Sequence, residues 1–278
     1  MTVTIRALLS TLLVSVLLAS YFAGAHYSPP QDAPPALQQL LEKGSLTIVT
    51  RNNPTSYFED RTGPTGFEYE LASAFAKHLN LPLKVIVADS LKEISSTLES
   101  GQADFAAAGL TQTEGRERTM RFALPYNQVS ELVIYRRGGA KAETVQDLVG
   151  KRIMVNSDSS HAEQLRIWQQ ELVPELSWGE GSDTDTSDLL QMVANDSLDF
   201  TLVDSNEFQI LQAYYPSLSI AFQLDEPRTI SWSFAQSNDN SLFDVANQFL
   251  SEYQLTPAFA AMTERFYGHL DKLDYVGA

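Results

Sequence analysis

An α/β protein of two lobes, built on mixed, mostly parallel sheets with a hinge cleft between the lobes, is the fold class this sequence predicts. Three observations carry that expectation. Strand-like and helix-like segments alternate from residue 45 onward, the succession that a helix-covered, mostly parallel sheet requires. The rhythm restarts after Arg137-Gly138-Gly139, which reads as a hinge. The 278 residues, 44% of them apolar and 10% aromatic, suit one large or two modest domains with a sizeable core.

The amino-terminal segment stands apart from that rhythm. Arg6 and the amino terminus give a weakly positive start to an apolar run from Ala7 to about Ala25, and Ala23-Gly24-Ala25 has the small-x-small form read by a signal peptidase. The run is also long enough to span a bilayer. Residues 1–25 therefore read as a signal peptide or an N-terminal anchor, and in both cases the remainder is exported. Pro29, Pro30, Pro34 and Pro35 make residues 26–43 a spacer.

Lobe 1 is expected over residues 44–136 together with 228–268. Its elements are a strand at Leu46–Thr50, a helix from Glu68 to Leu79 with Leu71, Ala74, Phe75 and Leu79 on one face, and a strand at Leu83–Ala88. Ser90-Leu91-Lys92-Glu93 is a capping box that opens a helix ending at Gly101. Strands at Asp104–Gly109 and Glu131–Arg136 follow. Lobe 2, residues 137–227, is expected to hold strands at Arg152–Asn156, Phe200–Asp204 and Ser219–Leu224. Its helices fall near 160–172, 187–195 and 206–214. Thr229–Ala235 is extended again. Leu242–Tyr253 is a helix, and a second begins at Thr256 with Pro257 in its first position and ends at Gly268.

Composition removes several functions. Lys plus Arg number 19 against 35 Asp plus Glu, a formal charge of −16, and there is no basic run to face a nucleic-acid backbone. Zero cysteine removes disulfides, thiol nucleophiles and cysteine-type zinc sites. The nucleophile-elbow, zinc-protease and P-loop motifs are absent from the sequence. Asp183-Thr184-Asp185-Thr186-Ser187 starts like a calcium loop, but Asp188 stands where glycine is required and Ala194 where glutamate is required, so a solvated loop before a helix is the better account. No catalytic residue, metal site or cofactor is expected.

Three segments carry binding chemistry. In Ala107-Ala108-Gly109-Leu110-Thr111-Gln112-Thr113-Glu114-Gly115-Arg116, small residues at the carboxyl end of a strand let a ligand approach the backbone. Thr111 offers a hydroxyl there, and Arg116 offers a fork matched to a carboxylate. The alternative is a turn with Arg116 on nearby carbonyls. Ser159 and Ser160 begin a helix after a strand, placed either to hold an anionic group or simply to cap. Asp204 ends a strand, placed to take an ammonium or to cap the following helix. If the two-lobe topology holds, Arg116 and Asp204 face each other as a trap for a zwitterion.

At these residues the chain resembles the family 3 extracellular solute-binding proteins. The resemblance runs over roughly residues 44–268 and rests on Gly66-Phe67-Glu68-Tyr69-Glu70-Leu71, Ser100-Gly101-Gln102-Ala103-Asp104-Phe105, the Gly109–Arg116 turn, Asp147-Leu148-Val149-Gly150-Lys151 and Leu198-Asp199-Phe200. It implies the two-lobe periplasmic-binding-protein fold (type II), with the ligand α-carboxylate on Arg116, its amino group on Asp204, and hydrogen bonds from Thr111, Ser159 and Ser160. Two departures qualify the likeness. Arg51 stands where amino-acid binders often carry an acidic residue; facing the cleft it would favour an additional carboxylate, and otherwise it is exposed. The Glu114-Gly115-Arg116 turn lacks the usual proline. Tyr57 is the candidate aromatic wall, or else ordinary lobe packing.

A narrower resemblance exists to the N-terminal module of the membrane-bound lytic murein transglycosylase F enzymes. It rests on Phe67-Glu68-Tyr69-Glu70-Leu71-Ala72, Pro174-Glu175-Leu176-Ser177-Trp178 and Arg265-Phe266-Tyr267-Gly268-His269 with Asp274-Tyr275-Val276. Those enzymes carry a solute-binding-like module and then a lysozyme-like catalytic domain marked by a Glu-Ser pair. Residues 269–278 resemble the junction, so the catalytic domain is expected to lie outside this chain, and Glu99-Ser100 matches the pair in letters only.

The resemblance implies a periplasmic module, associated with the outer membrane if the transglycosylase likeness governs, that closes over an amino acid or a murein stem peptide. Its partners would be that small zwitterion and either a catalytic domain or an importer permease. A stand-alone importer receptor is the alternative. The enzyme reading concerns a murein-cleaving activity whose site these residues do not contain.

Overall fold

The computed structural model describes residues 35–268 except Asp183 and Asp225. The expected leader, residues 26–34 of the spacer and the junction at 269–278 lie outside the described residues.

Lobe 1 is organised around strand β1 (Leu46–Arg51), whose first five residues are buried. A strand covered on both faces belongs inside a sheet, and β1 lies between β4 (Leu83–Ala88) and β5 (Phe105–Ala106), parallel to both. Antiparallel β14 (Ser233–Ala235) and β6 (Met120–Phe122) complete the order β4-β1-β5-β14-β6. The strand expected at Asp104–Gly109 is shorter, and Gly109, three residues past its end, turns into the left-handed region at φ 62. Helix α2 (Phe67–His78) buries Phe67, Leu71, Ala72, Phe75 and Ala76. The preceding Gly66 has φ 125, and a Cβ there would sit 2.3 Å from the Ser56 carbonyl oxygen, so only glycine passes. Trp232, fully buried, packs at 4.6 Å from Phe105 and 5.5 Å from Phe75, ring centre to ring centre.

The opposite face of the sheet is covered by α3 (Leu91–Glu99), through Ile94 and Leu98 against Val49 and Ala106. Ser90 caps it by accepting from the Glu93 N–H at 3.2 Å, while the Glu93 carboxylate accepts from the Asp89 N–H at 2.8 Å. The last two helices, α8 (Ser241–Tyr253) and α9 (Pro257–Tyr267), lie close to their expected bounds. Thr256 Oγ1 caps α9 by accepting from the Phe259 N–H.

The spacer is corrected here. Residues 36–43 form helix α1 (Ala36–Lys43), whose Leu40 is buried in the lobe 1 core. Its orphan amino-terminal donors are satisfied by α8 and the loop before it: Ala36 N–H bonds Asp239, and Leu37 N–H donates to Ser241 Oγ at 3.0 Å. The prolines precede that helix and do not extend through it.

Lobe 2 is built on β8 (Glu131–Arg136), flanked by β11 (Phe200–Asp204) and β12 (Leu218–Gln223), both antiparallel to it. Among the described residues of this lobe, parallel pairing is confined to β9 (Met154–Asn156) with β10 (Gly179–Gly181) and an Ile153–Phe200 bridge. Helices α5 (Ser160–Glu171), α6 (Thr186–Ala194) and α7 (Ser205–Leu211) surround these strands over two apolar clusters.

Because β8 pairs along its length with lobe 2 strands, residues 131–136 belong to lobe 2, and the boundary expected after Arg136 is corrected. The chain crosses between β7 (Asn127–Val129) and β8, and returns between β12 and β13 (Arg228–Ile230); β7 and β13 pair with each other. Gly138, at φ 82, sits in a tight turn at the far end of β8, where the Gly139 N–H donates to the Arg136 carbonyl at 2.9 Å. Both crossings between the lobes therefore lie beside the β7–β13 ribbon, and Arg137-Gly138-Gly139, expected as a hinge, is a turn within lobe 2. Among the described residues no helix is long and apolar enough to cross a membrane.

Candidate ligand-binding cleft

Strand ends from both lobes converge where the crossing ribbon brings them together. Arg51 ends β1, and Gly109 follows β5. Thr111 is fixed by a bridge to Ile230, the last residue of β13. From lobe 2, Asn156 ends β9, Ser159 and Ser160 start α5, and Asp204 ends β11. Arg51, Gly109, Thr111, Arg116, Ser159, Ser160 and Asp204 all line one cavity of about 20 Å3, room for about one water molecule. Two wider chambers continue from it, about 470 Å3 on the side of Arg51 and Asn156 and about 680 Å3 on the side of Arg116 and Ser159.

Direct contacts bridge the lobes here. Thr111 Oγ1 donates to Asp204 Oδ2 at 3.3 Å. Thr113 Oγ1 and the Gly115 N–H both donate to the Glu163 carboxylate, at 2.7 and 3.1 Å. Arg51 Nη2 meets Glu207 Oε1 at 2.6 Å. A ligand of amino-acid size enters the central cavity only when these contacts part.

Arg116 sits in α4 (Glu114–Glu117), capped by Thr113. Its guanidinium donates to two carbonyls, Thr111 O at 2.9 Å in its own lobe and Asp158 O at 3.3 Å across the cleft. Neither partner is charged. Burial, and then the neighbouring Arg51 charge, lower its pKa to about 10, so it stays a cation at neutral pH. Asp204 occupies the N-cap position of α7 yet makes no capping hydrogen bond with its side chain, so the carboxylate is free to face the cleft. Burial raises its pKa above the ordinary carboxylate value, against the lowering effect of His161.

The other candidates divide. Gly109 is required as glycine: it is left-handed, and a Cβ would lie 3.2 Å from Ser56 Oγ and 3.9 Å from Arg51 Nη2. Ser159 behaves as a helix cap, accepting from the Ala162 N–H and donating to the Asn156 carbonyl at 2.5 Å. Ser160 is buried at the first position of α5, and its carbonyl accepts from Arg228. Arg51 does face the cleft, with Nε donating to the Ala108 carbonyl at 3.0 Å. Tyr57 is not among the residues that line the cavity: its ring packs edge-on against Tyr69 at 5.6 Å and its hydroxyl donates to Glu59 at 3.4 Å. Leu91 and Leu110 provide the apolar lining.

Sequence reasoning passed over Glu207, His161, Asn156 and Thr186, which complete the lining. Glu207 lies three residues after Asp204, on the same face of α7, and Asn156 is a strand-end residue; both positions were legible as sites facing a crevice. His161 bonds through Nδ1 to the buried Glu131 carboxylate. Burial alone would push this imidazole down, but the Glu131 charge and hydrogen bond, with Asp204 and Glu207, leave it above its ordinary value. Asp185 caps α6 by accepting from the Asp188 N–H, so this acidic run is used in capping. Among the described residues no three His, Asp or Glu side chains form a group able to hold a metal ion.

Fold and cleft define a two-lobed solute-binding protein whose polar site lies between the lobes. Residues 46–269 match the family described as bacterial extracellular solute-binding proteins, family 3, and the chain belongs to that family. It is 44% identical over 245 residues to the membrane-bound lytic murein transglycosylase F of Saccharophagus degradans, covering 88% of this chain and 49% of that relative. The chain thus spans about half the length of that curated relative. Among solved structures, the P235GK mutant of ArgBP from T. maritima superposes with a TM-score of 0.75 at 20% identity, covering 84% of this chain and 99% of that one. An ancestral arginine-binding protein bound to arginine gives 0.72 at 22% identity, covering 81% and 98%. These two likenesses concern the fold.

Proposed function

We propose that this chain is a periplasmic binding and sensing module that closes its lobes over a small zwitterion, an amino acid or the amino-acid end of a murein stem peptide. One observation carries the reading. Arg116 and Asp204 approach a single cavity from opposite lobes, and both have only neutral hydrogen-bond partners, carbonyls for the first and a hydroxyl for the second. A ligand carboxylate and ammonium would supply the two missing charges, and contacts from both lobes favour the closed form.

The stem-peptide version, an association with the outer membrane and a partnership with a lysozyme-like catalytic domain draw support from the similarity to a transglycosylase F over about half of that relative's length. In that setting the hinge at β7 and β13 would convert ligand occupancy into a movement felt by the partner.

Calorimetric titration with L-amino acids and murein stem peptides tests this, run beside Arg116→Ala and Asp204→Ala. Each substitution should cost about 2–5 kcal/mol of affinity, because each strands a buried ligand charge. Stem-peptide binding lost in both variants favours the sensing module. Tight binding of one free amino acid favours an importer receptor. Binding indifferent to both substitutions, or no heat with any of these compounds, removes the zwitterion reading.

A further inference from the structure

The cleft holds a second pair of opposite charges, and these two are spent on each other. Arg51, from lobe 1, donates to Glu207 of lobe 2 at 2.6 Å, with the Glu207 side chain only 5% exposed. Asn53 Nδ2 of lobe 1 donates to the same oxygen at 2.9 Å, and Thr186 Oγ1 of lobe 2 donates to the other at 2.5 Å. The carboxylate is thereby held on both oxygens and ties lobe 1 to lobe 2. Arg51 in turn has its remaining nitrogen contact on the Ala108 carbonyl.

We infer that Glu207 is a specificity-determining residue: it occupies Arg51 from the opposite lobe, withdraws that guanidinium from ligand recognition, and sets the balance between open and closed lobes. The inference deepens the zwitterion reading and rests on it for its ligand half. Of the four Arg, Asp and Glu side chains at the cavity, Arg116 and Asp204 lack an ion-pair partner while Arg51 and Glu207 have each other, and His161 is engaged by Glu131. The cleft is therefore matched to one ammonium and one carboxylate. This reverses the expectation that Arg51, once shown to face the cleft, would favour a ligand with an additional carboxylate. Such a ligand has to displace Glu207, leaving a carboxylate buried at the lobe interface without its cation, an arrangement that is strongly unfavourable.

The absence of cysteine from the sequence makes the test clean. Glu99 and Gln170 are exposed on opposite lobes. Glu99→Cys and Gln170→Cys accept paired spin labels, and the inter-label distance is read without ligand in the otherwise unaltered protein, in Glu207→Gln, in Arg51→Met and in the double variant, with circular dichroism melts to confirm folding. The expected result is a shift to longer distances in each single variant and no further shift in the double variant.

L-Glutamate is then the probe. By calorimetric titration it should bind Glu207→Gln with a dissociation constant about tenfold or more below that for the unaltered protein, and it should return the variant to the short distance. Equal ligand-free distances in folded Glu207→Gln and the unaltered protein overturn the inference. An identical glutamate response in both overturns its specificity half. The ligand-free distances do not depend on the zwitterion reading, which stands or falls with Arg116→Ala and Asp204→Ala.

Discussion

Replacing Glu68 with glutamine should remove a pH dependence from the stability of this protein. Glu68 is the second residue of α2, only 2% exposed, and Tyr126 Oη lies 2.7 Å from each of its carboxylate oxygens. Burial raises its pKa from 4.5 to about 7, against the lowering effects of the Tyr126 hydrogen bond and the Arg51 charge. A raised folded-state value means that the native protein binds this proton more tightly than the unfolded chain does. Its contribution is therefore fully present below pH 4.5 and is lost as pH rises to about 7. At about 1.4 kcal/mol per pH unit, that interval corresponds to a loss on the order of 3 kcal/mol.

Glutamine keeps the shape and a hydrogen-bonding group for Tyr126 but cannot ionise. Urea unfolding at a series of pH values from 4 to about 8 gives the comparison directly. The difference in stability between Glu68→Gln and the unaltered protein should swing in favour of the variant by that amount as pH rises. Titrating groups elsewhere, His161 among them, cancel in the difference. Parallel stability curves for the two proteins would refute the reasoning, since they would mean that Glu68 ionises in the folded state as readily as in the unfolded chain.

Other predictions follow from single contacts. Gly66→Ala should destabilise lobe 1 by on the order of 3 kcal/mol, because it places a Cβ against the Ser56 carbonyl and forces a left-handed φ; a thermal melt checks it. His161 should titrate above 6.5 by NMR, and Glu131→Gln should lower that value by removing the carboxylate it faces. The stability owed to the charged imidazole is then present below 6.5 and disappears as pH rises through the folded-state value. Loss of zwitterion binding in Arg116→Ala and Asp204→Ala, and lobe opening in Glu207→Gln, complete the set.

Much of the local structure was legible because it depends on neighbours in sequence. The bounds of β4, β8 and β11 agree with their apolar runs, and the Ser90 and Thr256 caps act where hydroxyls precede helical periodicity. Gly109, Thr111, Arg116 and Asp204, which line the cavity, were legible from their placement at or after strand ends. What escaped was the assignment of elements to lobes. The continuous apolar run of β8 would suit a sheet in either lobe, and only its pairing with β11 and β12 decides where it belongs. Helix α1 looked like spacer because a short helix needs docking to be stable, and its docking partner Ser241 lies 204 residues away from Leu37.

The same division holds for function. By itself the sequence determined a two-lobed α/β chain without thiol chemistry, the strand-end hydroxyls, and the placement of Arg116 and Asp204, of opposite charge, near strand ends. Only the tertiary structure decided that Arg51 is neutralised by Glu207, 156 residues away, and that Tyr57 turns aside to Tyr69. Side-chain type is written in the chain and caps and turns act over a few residues, whereas a charge is paired or left free according to which strand ends the fold brings within hydrogen-bonding distance.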